Sequence, residues 1–322
     1  MTYRLVRSVA FRVDAERAHR HALALARLAR PLSLLRPPRW DVRNPVDAFG
    51  LRFRNPLGLA AGYDKDGTAW RALAALGFGH VEIGTVTPRP QPGNPRPRVI
   101  RLTEQRALVN RMGFPSEGAD AVAARMRGRR PGGVVLGVSI GPNADTPPDR
   151  RVEDYLTLVD RFAGPADYLA VNVSSPNTAG LRDLQGEALE PLLRDVVDRA
   201  AGEAPVLVKL SPDLPDVAPV VAAAERAGVH GIITSNTTVT RPLVEADPGP
   251  GGLSGAPLAE LARRSLEAVL RATRLPVIAC GGVMTPADAQ ERLDAGAALV
   301  QIYTGLVYAG PRLVRHIVRT LA

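Results

Sequence analysis

Two lysines stand apart in a chain that otherwise uses arginine for positive charge. Of its 41 basic residues, only Lys65 and Lys209 are lysine. Each marks a place where a compact ammonium suits and a planar guanidinium does not. Lys209 lies in the apolar run PVLVKLS (205–211), between Val208 and Leu210. An inward lysine there needs a negative partner or a lowered pKa. It could form a Schiff base with a carbonyl substrate, or stabilise the anionic edge of a reduced flavin. With no acid close by in sequence, a buried ion pair is the weaker expectation. A second cluster, VNVSSPNTAGLR (171–182), crowds Asn172, Ser174, Ser175, Asn177 and Thr178 onto one strand end and its loop. Turn chemistry accounts for Pro176-Asn177, but not for an asparagine inside an apolar strand. A third group, Gly281-Gly282 with Tyr303-Thr304-Gly305, offers backbone N–H groups and a hydroxyl suited to a phosphate.

These groups are far apart in sequence, so a scaffold must gather them. Eight short apolar runs recur: 56–62, 80–86, 134–140, 167–173, 205–211, 231–236, 276–282 and 297–305. Runs apolar on both faces, mostly separated by helix-like stretches, suit parallel strands covered by helices. Eight such units predict an α/β fold of the closed (β/α)8 TIM-barrel type. Every run carries a polar or backbone-exposing residue to its C-terminal end: Lys65, Thr85, Ser139, Asn172, Lys209, Ser235 with Asn236, Gly281 with Gly282, and Tyr303 with Thr304. Barrel enzymes place their chemistry at that end. Residues 46–54 read as a short hairpin before the barrel. A second hairpin is expected within RVIRLTEQRALVNRM (98–112), in a long Pro- and Arg-rich connection.

The first forty residues read as helix, closed by Pro31, Pro37 and Pro38. They hold nine arginines against Asp14 and Glu16, a local charge of +7 within a net +9, which leaves +2 for the other 282 residues. A charge so localised points to an anionic surface met at one end of the molecule, not to nucleic acid. Leu5, Val9, Phe11, Leu25 and Leu28 between the arginines suit a helical pair lying on a membrane surface. No apolar run reaches 18 residues, so no spanning helix is expected. The single cysteine, Cys280, excludes an internal disulfide and suits a reducing compartment. No metal site is expected.

The motifs AAGYDKDG (60–67), EIGTVTPRPQPGN (82–94), NRMGF (110–114), VNVSSPNTAGLR, VKLSPD (208–213), SNTT (235–238), GGLSGAPL (251–258), ACGGV (279–283) and LVQIYTGL (299–306) occur in the order found in the dihydroorotate dehydrogenases. The chain resembles that family over nearly its whole length. VRSVAFRVDAERAH (6–19) resembles the N-terminal extension of the membrane-associated, quinone-reducing class. The resemblance implies one FMN per chain, held by Ala61, Gly62, Tyr63, Asp64, Lys65, Thr85, Ser139, Asn172, Lys209, Ser235, Gly255, Gly282, Tyr303 and Thr304. Ser139 stands where the family commonly has asparagine, which shortens its reach. Dihydroorotate would be held by Lys65, Asn110, Arg111, Met112, Gly113, Phe114, Asn172, Asn177, Asn236 and Thr237. Ser175 would be the catalytic base, where the soluble class has cysteine, with Thr178 and a trapped water as relay members under a closing loop 175–185. His19 and Arg101 would line a quinone passage.

The implied activity is oxidation of (S)-dihydroorotate to orotate, in pyrimidine synthesis, with electrons passed to a membrane quinone. Residues 1–38 would be the quinone-access segment and 39–322 the catalytic barrel, in a monomer held peripherally at the cytoplasmic face of the membrane. Three other readings stand beside this one. A Schiff-base aldolase would use Lys209. A fumarate- or NAD-linked dehydrogenase would need cysteine at position 175 or an iron–sulfur partner. A non-catalytic membrane-binding barrel would have no use for eight polar strand ends.

Overall fold

The computed structural model describes residues 2–28, 44–244 and 248–321. The expected helix stops at Pro31, Pro37 and Pro38, and the boundary between 38 and 39, lie outside the described residues. The chain opens with helices α1 (Thr2–Ala10) and α2 (Ala15–Leu28), then the hairpin β1 (Val46–Ala48) and β2 (Leu51–Phe53). There follow β3 (Leu57–Leu59), α3 (Trp70–Ala74), β4 (His80–Val86), β5 (Val99–Leu102), β6 (Ala107–Asn110) and α4 (Ala119–Met126). Next come β7 (Val135–Ile140), α5 (Arg151–Phe162), β8 (Tyr168–Asn172), α6 (Leu189–Ala200), β9 (Val206–Leu210), α7 (Ala218–Arg226) and β10 (Gly231–Thr234). The last stretch holds β11 (Gly252–Gly255), α8 (Ala259–Ala272), β12 (Val277–Cys280), α9 (Pro286–Asp294), β13 (Leu299–Ile302), α10 (Thr304–Ala309) and α11 (Arg312–Thr320).

Eight parallel strands close a barrel in the order β3-β4-β7-β8-β9-β10-β12-β13, and each lies within one of the eight apolar runs. Their residues are buried on both faces, apart from the half-buried Cys280. Helices cover the outside through Val, Leu and Ala side chains such as Leu158, Leu193, Val221 and Leu266. The early hairpin plugs the N-terminal end of the barrel. Its Phe49 and Phe53 pack against Tyr168, Leu207, Ile233, Ile278 and Leu299. Truncating Phe53, fully buried there, would open a cavity at a cost of about 3–5 kcal/mol.

Above the plug the barrel interior is polar. His80, Glu82, Tyr168 and Gln301 fill one layer, and glycine on a neighbouring strand makes room for each large ring. A Cβ on Gly58 would fall 2.0 Å from the His80 ring, and one on Gly137 would fall 2.0 Å from Tyr168. Glu82 accepts from Tyr168 Oη and from Gln301 Nε2, both at 2.9 Å.

The second expected hairpin, β5–β6, lies over the C-terminal end of the barrel, where β11 joins it to make an antiparallel sheet, β11-β6-β5. The sequence gives β11 no strand signal, because Gly-Leu-Ser-Gly offers a single apolar side chain, Leu253, and no alternation. The N-terminal helix is broken at residues 11–14, where Asp14 Oδ1 caps α2 by accepting from Arg17 N at 2.9 Å.

Candidate active site

Register brings the polar strand ends abreast. Asn172 on β8 pairs with Lys209 on β9, and Ile233 on β10 flanks Lys209 on the other side. Asn172 Nδ2 donates to Thr85 Oγ1 at 2.8 Å, and Thr85 shares a 2.9 Å hydrogen bond with Ser139. Asn172 Oδ1 accepts from the backbone and hydroxyl of Ser174 at 3.2 and 3.1 Å. Asn236 Nδ2 donates to Ser174 Oγ at 3.0 Å. Asn177 Nδ2 donates to Asn110 Oδ1 at 3.1 Å, which ties the loop after β8 to β6. Four of the chain's eight asparagines thus converge on one place. Ser175 is buried beside them, and its Oγ accepts from Asn177 N at 3.3 Å.

These side chains line one cavity of about 570 Å³, open at the C-terminal end of the barrel and roofed by β5, β6, α1 and α2. Lys65, Lys209, Ser175 and the asparagines form its inner wall; Val6, Ala10, Phe11, Leu23, Val307 and Met284 line the part toward the helices. At one side Gly255 and Gly282 line the cavity, and each is packed against neighbouring backbone too closely for a side chain. A Cβ on Gly282 would fall 2.2 Å from Ala259 Cα, and one on Gly255 would fall 2.3 Å from Arg106 O; both residues have positive φ. Thr304 Oγ1 meets Ser254 Oγ at 2.8 Å beside them. A helix start leaves N–H groups without intrahelical acceptors, and α10 begins at Thr304.

Burial dominates the electrostatics. It lowers the Lys65 pKa from the ordinary 10.5 to about 8; Asp66 and Glu16 oppose the shift, while Arg98 and Lys209 add to it. Burial also lowers His19, whose Nε2 meets Tyr63 O at 2.7 Å, and raises Asp64 and the Cys280 thiol. Asp64 accepts from Thr68 N, Thr68 Oγ1 and Ala69 N, which fixes the loop that carries Lys65. Tyr303 is pushed up to about 12 by burial, and its Oη donates to Gly62 O at 3.3 Å.

Most of the residues singled out in the sequence line this cavity, His19 and Arg101 included. Two do not. Arg111 follows Asn110 at the end of β6, and alternation turns it to the other face of the sheet, where it donates to Pro97 O at 3.1 and 2.8 Å. Ser139 is buried behind Thr85 and reaches the cavity only through it. Phe11 is not an outward residue. It packs edge-to-face on Tyr308 at 5.3 Å, with the Arg101 guanidinium 4.6 Å from its ring centre.

Lys209 does have an acid. Glu82 Oε1, fully buried on β4, lies 3.9 Å from its ammonium. Sequence distance was the wrong criterion, since barrel closure sets who meets across the interior. Glu82 stands inside the apolar run HVEIGTV, so the signal that picks out Lys209 would have found it. Glu16 was also missed as a functional residue. It joins α2 to the connection before β5 through Arg98, at 3.0 and 2.8 Å, and Arg96, at 3.2 and 2.9 Å.

Residues 45–322 match the family model described as dihydroorotate dehydrogenase. The dihydroorotate dehydrogenase (quinone) of Roseiflexus castenholzii is 50% identical, with 100% of this chain and 92% of that protein covered. The one from Salinispora arenicola is 52% identical, over 97% of this chain and 96% of that protein. Among solved structures, DHODH of Eimeria tenella in complex with ferulenol superposes with a TM-score of 0.86 at 35% identity, covering 95% of this chain and 90% of that one.

Proposed function

The chain belongs to the dihydroorotate dehydrogenase family, and on that premise we propose how its cavity carries out quinone-dependent oxidation of dihydroorotate to orotate. The flavin is FMN, one per chain. The residues fit it: Gly255, Gly282 and Thr304 line one side of the cavity and offer backbone and a hydroxyl suited to a phosphate, and Lys209 supplies positive charge within the barrel. Ala61, Gly62, Tyr63, Asp64, Thr85, Asn172, Ser235 and Tyr303 complete its surroundings, with Ser139 acting through Thr85. FMN held there would supply the two-electron chemistry that links dihydroorotate oxidation to quinone reduction.

The observation that carries this reading is the convergence of Ser175 with Asn110, Asn172, Asn177 and Asn236 on one wall of the cavity. Their amides pair with the amide and carbonyl groups of dihydroorotate, together with Thr237 and the 112–114 backbone. Lys65 faces the substrate carboxylate. Ser175 Oγ takes the proton from the ring carbon beside the carbonyl. A serine hydroxyl is a poor base and must hand that proton on. Thr178 is the relay's next member; its buried Oγ1 makes no hydrogen bond among the described residues, which leaves it able to accept one. Lys209 steadies the negative charge that gathers opposite it. Its pairing with Glu82 suits a fixed ammonium and gives no support to a Schiff-base nucleophile.

Residues 1–38 form the quinone-access segment and 39–322 the catalytic domain. Leu5, Val6, Val9, Leu25 and Leu28 are exposed on α1 and α2, among arginines. That face rests on an anionic membrane surface, at its cytoplasmic side, and holds a monomer peripherally. No helix among the described residues is long and apolar enough to cross a membrane. Quinone enters past His19 and Arg101. The test is an anaerobic flavin spectrum. Dihydroorotate should bleach it and a quinone should restore it; a spectrum that dihydroorotate leaves unchanged would overturn the reading.

A further inference from the structure

Arg182 does not line the cavity, yet its guanidinium joins the loops that follow three consecutive barrel strands, β8, β9 and β10. Nε donates to Ser174 O at 2.9 Å, Nη1 to Asp213 Oδ2 at 2.7 Å, and Nη2 to Thr237 O at 2.9 Å. Asp213 also accepts from Thr238 Oγ1 and, at 3.0 Å, from Val239 N. The turn that carries Arg182 is pinned once more, where Gln185 Oε1 accepts from Ser211 N at 2.9 Å. One planar fork therefore sets the peptide next to Ser175 against the loop that carries Asn236 and Thr237.

We propose that Arg182 is a positioning residue for proton removal: it fixes the backbone at Ser174 so that Ser175 Oγ stands at the distance from the substrate carbon that proton transfer needs. The inference rests on Ser175 being the base. The asymmetry of the contacts says which step depends on the clamp. Asn236 reaches Ser174 through its hydroxyl and not through the clamped carbonyl, and Thr237 N donates to Asn236 Oδ1 at 2.7 Å, so the binding loop keeps a bond of its own when the clamp is lost. Among the described residues Ser175 Oγ has only the 3.3 Å contact from Asn177 N, and the loop beyond it rises to the exposed Ala179 and Gly180. Loss of the clamp therefore affects the chemical step more than affinity.

The test is anaerobic rapid mixing of the flavin-loaded full chain with dihydroorotate, for wild type, Arg182→Lys, Arg182→Ala, Ser175→Ala and the double variants. Lysine keeps the charge opposite Asp213 but cannot span two carbonyls and a carboxylate, so it tests the geometry even where alanine fails to fold. The saturating rate of flavin reduction should fall about 10- to 100-fold in Arg182→Lys, with orotate affinity changed by less than about threefold. In the Ser175→Ala background the same substitution should cost less than about threefold more, because the group it positions is gone. Equal losses in both backgrounds, or a rate within about twofold of wild type, would overturn the clamp. A Ser175→Ala enzyme as fast as wild type would instead remove the base assignment on which the clamp rests.

Discussion

At its inner wall the cavity is built on strands paired on both sides. Asn172 and Lys209 face each other in register, and Asn172 joins Ser174 on one side to Thr85 on the other, with Ser139 bonded behind Thr85 in the buried interior. At its helix end the wall is made by α1 and α2, which hold to the barrel through a handful of polar links. Tyr3 Oη donates to Val307 O at 2.6 Å, Arg7 to Tyr308 O at 2.9 Å, Arg101 to Val13 O at 2.7 Å, and Glu16 accepts from Arg96 and Arg98. Leu28 on the outer side of α2 is 76% exposed. The difference matches two chemical demands. A proton must be taken at a fixed distance, which a closed sheet can guarantee. An apolar carrier must enter and leave, which needs an apolar wall but no such precision. The largest effect that can be asked of this contrast is removal of one end. Deleting residues 1–38 should abolish quinone reduction while the purified, flavin-loaded barrel is still bleached by dihydroorotate. Equal loss of both half-reactions, with flavin retained, would break the division.

The inner end can be struck in turn. Ser175→Ala should slow flavin reduction by about 10²- to 10⁴-fold, the usual worth of a positioned general base. Reoxidation of chemically reduced enzyme by quinone should be unchanged, since Ser175 lies among the asparagines and not among the helix residues. A parallel fall in reoxidation would mean that the two ends are one site.

The two ends also differ in how far they can be read from sequence. The barrel was legible because both-face apolar runs have one meaning at this length, and a polar residue at each run's end is a local signal. Lys209 was legible for the same reason, and Glu82 carries the same signal, but their pairing was not legible, because a pair across the barrel depends on closure. Arg111 was misplaced because a motif lists neighbours, while a strand sends alternate neighbours to opposite faces. β11 was illegible because two of its four residues are glycine. At the helix end, charge and amphipathic spacing announced two helices with an outer apolar face. They did not tell which apolar residues turn inward, and Phe11 was assigned to the wrong side. Glu16 was legible only as one of two acids among nine arginines; what it holds lies some 80 residues further along the chain.

Glu16 is the place where the helix end can be loosened without being removed. Its carboxylate serves two guanidiniums, and that of Arg98 is buried. Those arginines hold its pKa below the ordinary carboxylate range. Such a group contributes stability above its unfolded pKa, and the contribution is lost as pH falls through its folded value. Glu16→Ala leaves a buried guanidinium without its anion, at a cost of about 2–4 kcal/mol to the docking of α2. The expected readouts are faster proteolysis within residues 2–28 and a raised KM for quinone. Flavin reduction should change little. Unchanged proteolysis would show that the apolar contacts of α1 and α2 suffice to hold the cap.

The smallest effect is a pH dependence at the inner end, and its sign can be worked out. Lys65 has a folded pKa of about 8 against an ordinary 10.5. Between these values the unfolded chain binds the proton that the folded chain has lost, so this residue makes stability rise with pH over that interval. Substrate affinity should run the other way. If the ammonium faces the carboxylate, binding needs the charged form, and above pH 8 the Kd for orotate should rise about tenfold per pH unit. By reciprocity, bound orotate raises the Lys65 pKa. Titrating orotate against the flavin spectrum between pH 7 and about pH 9.5 measures the slope. Lys65→Met should weaken binding at pH 7 and flatten the profile. A variant that keeps the wild-type inflection would assign it to another group. Opposed slopes for stability and affinity would mean that the fold bears the cost of burying this charge, which the arriving carboxylate then offsets.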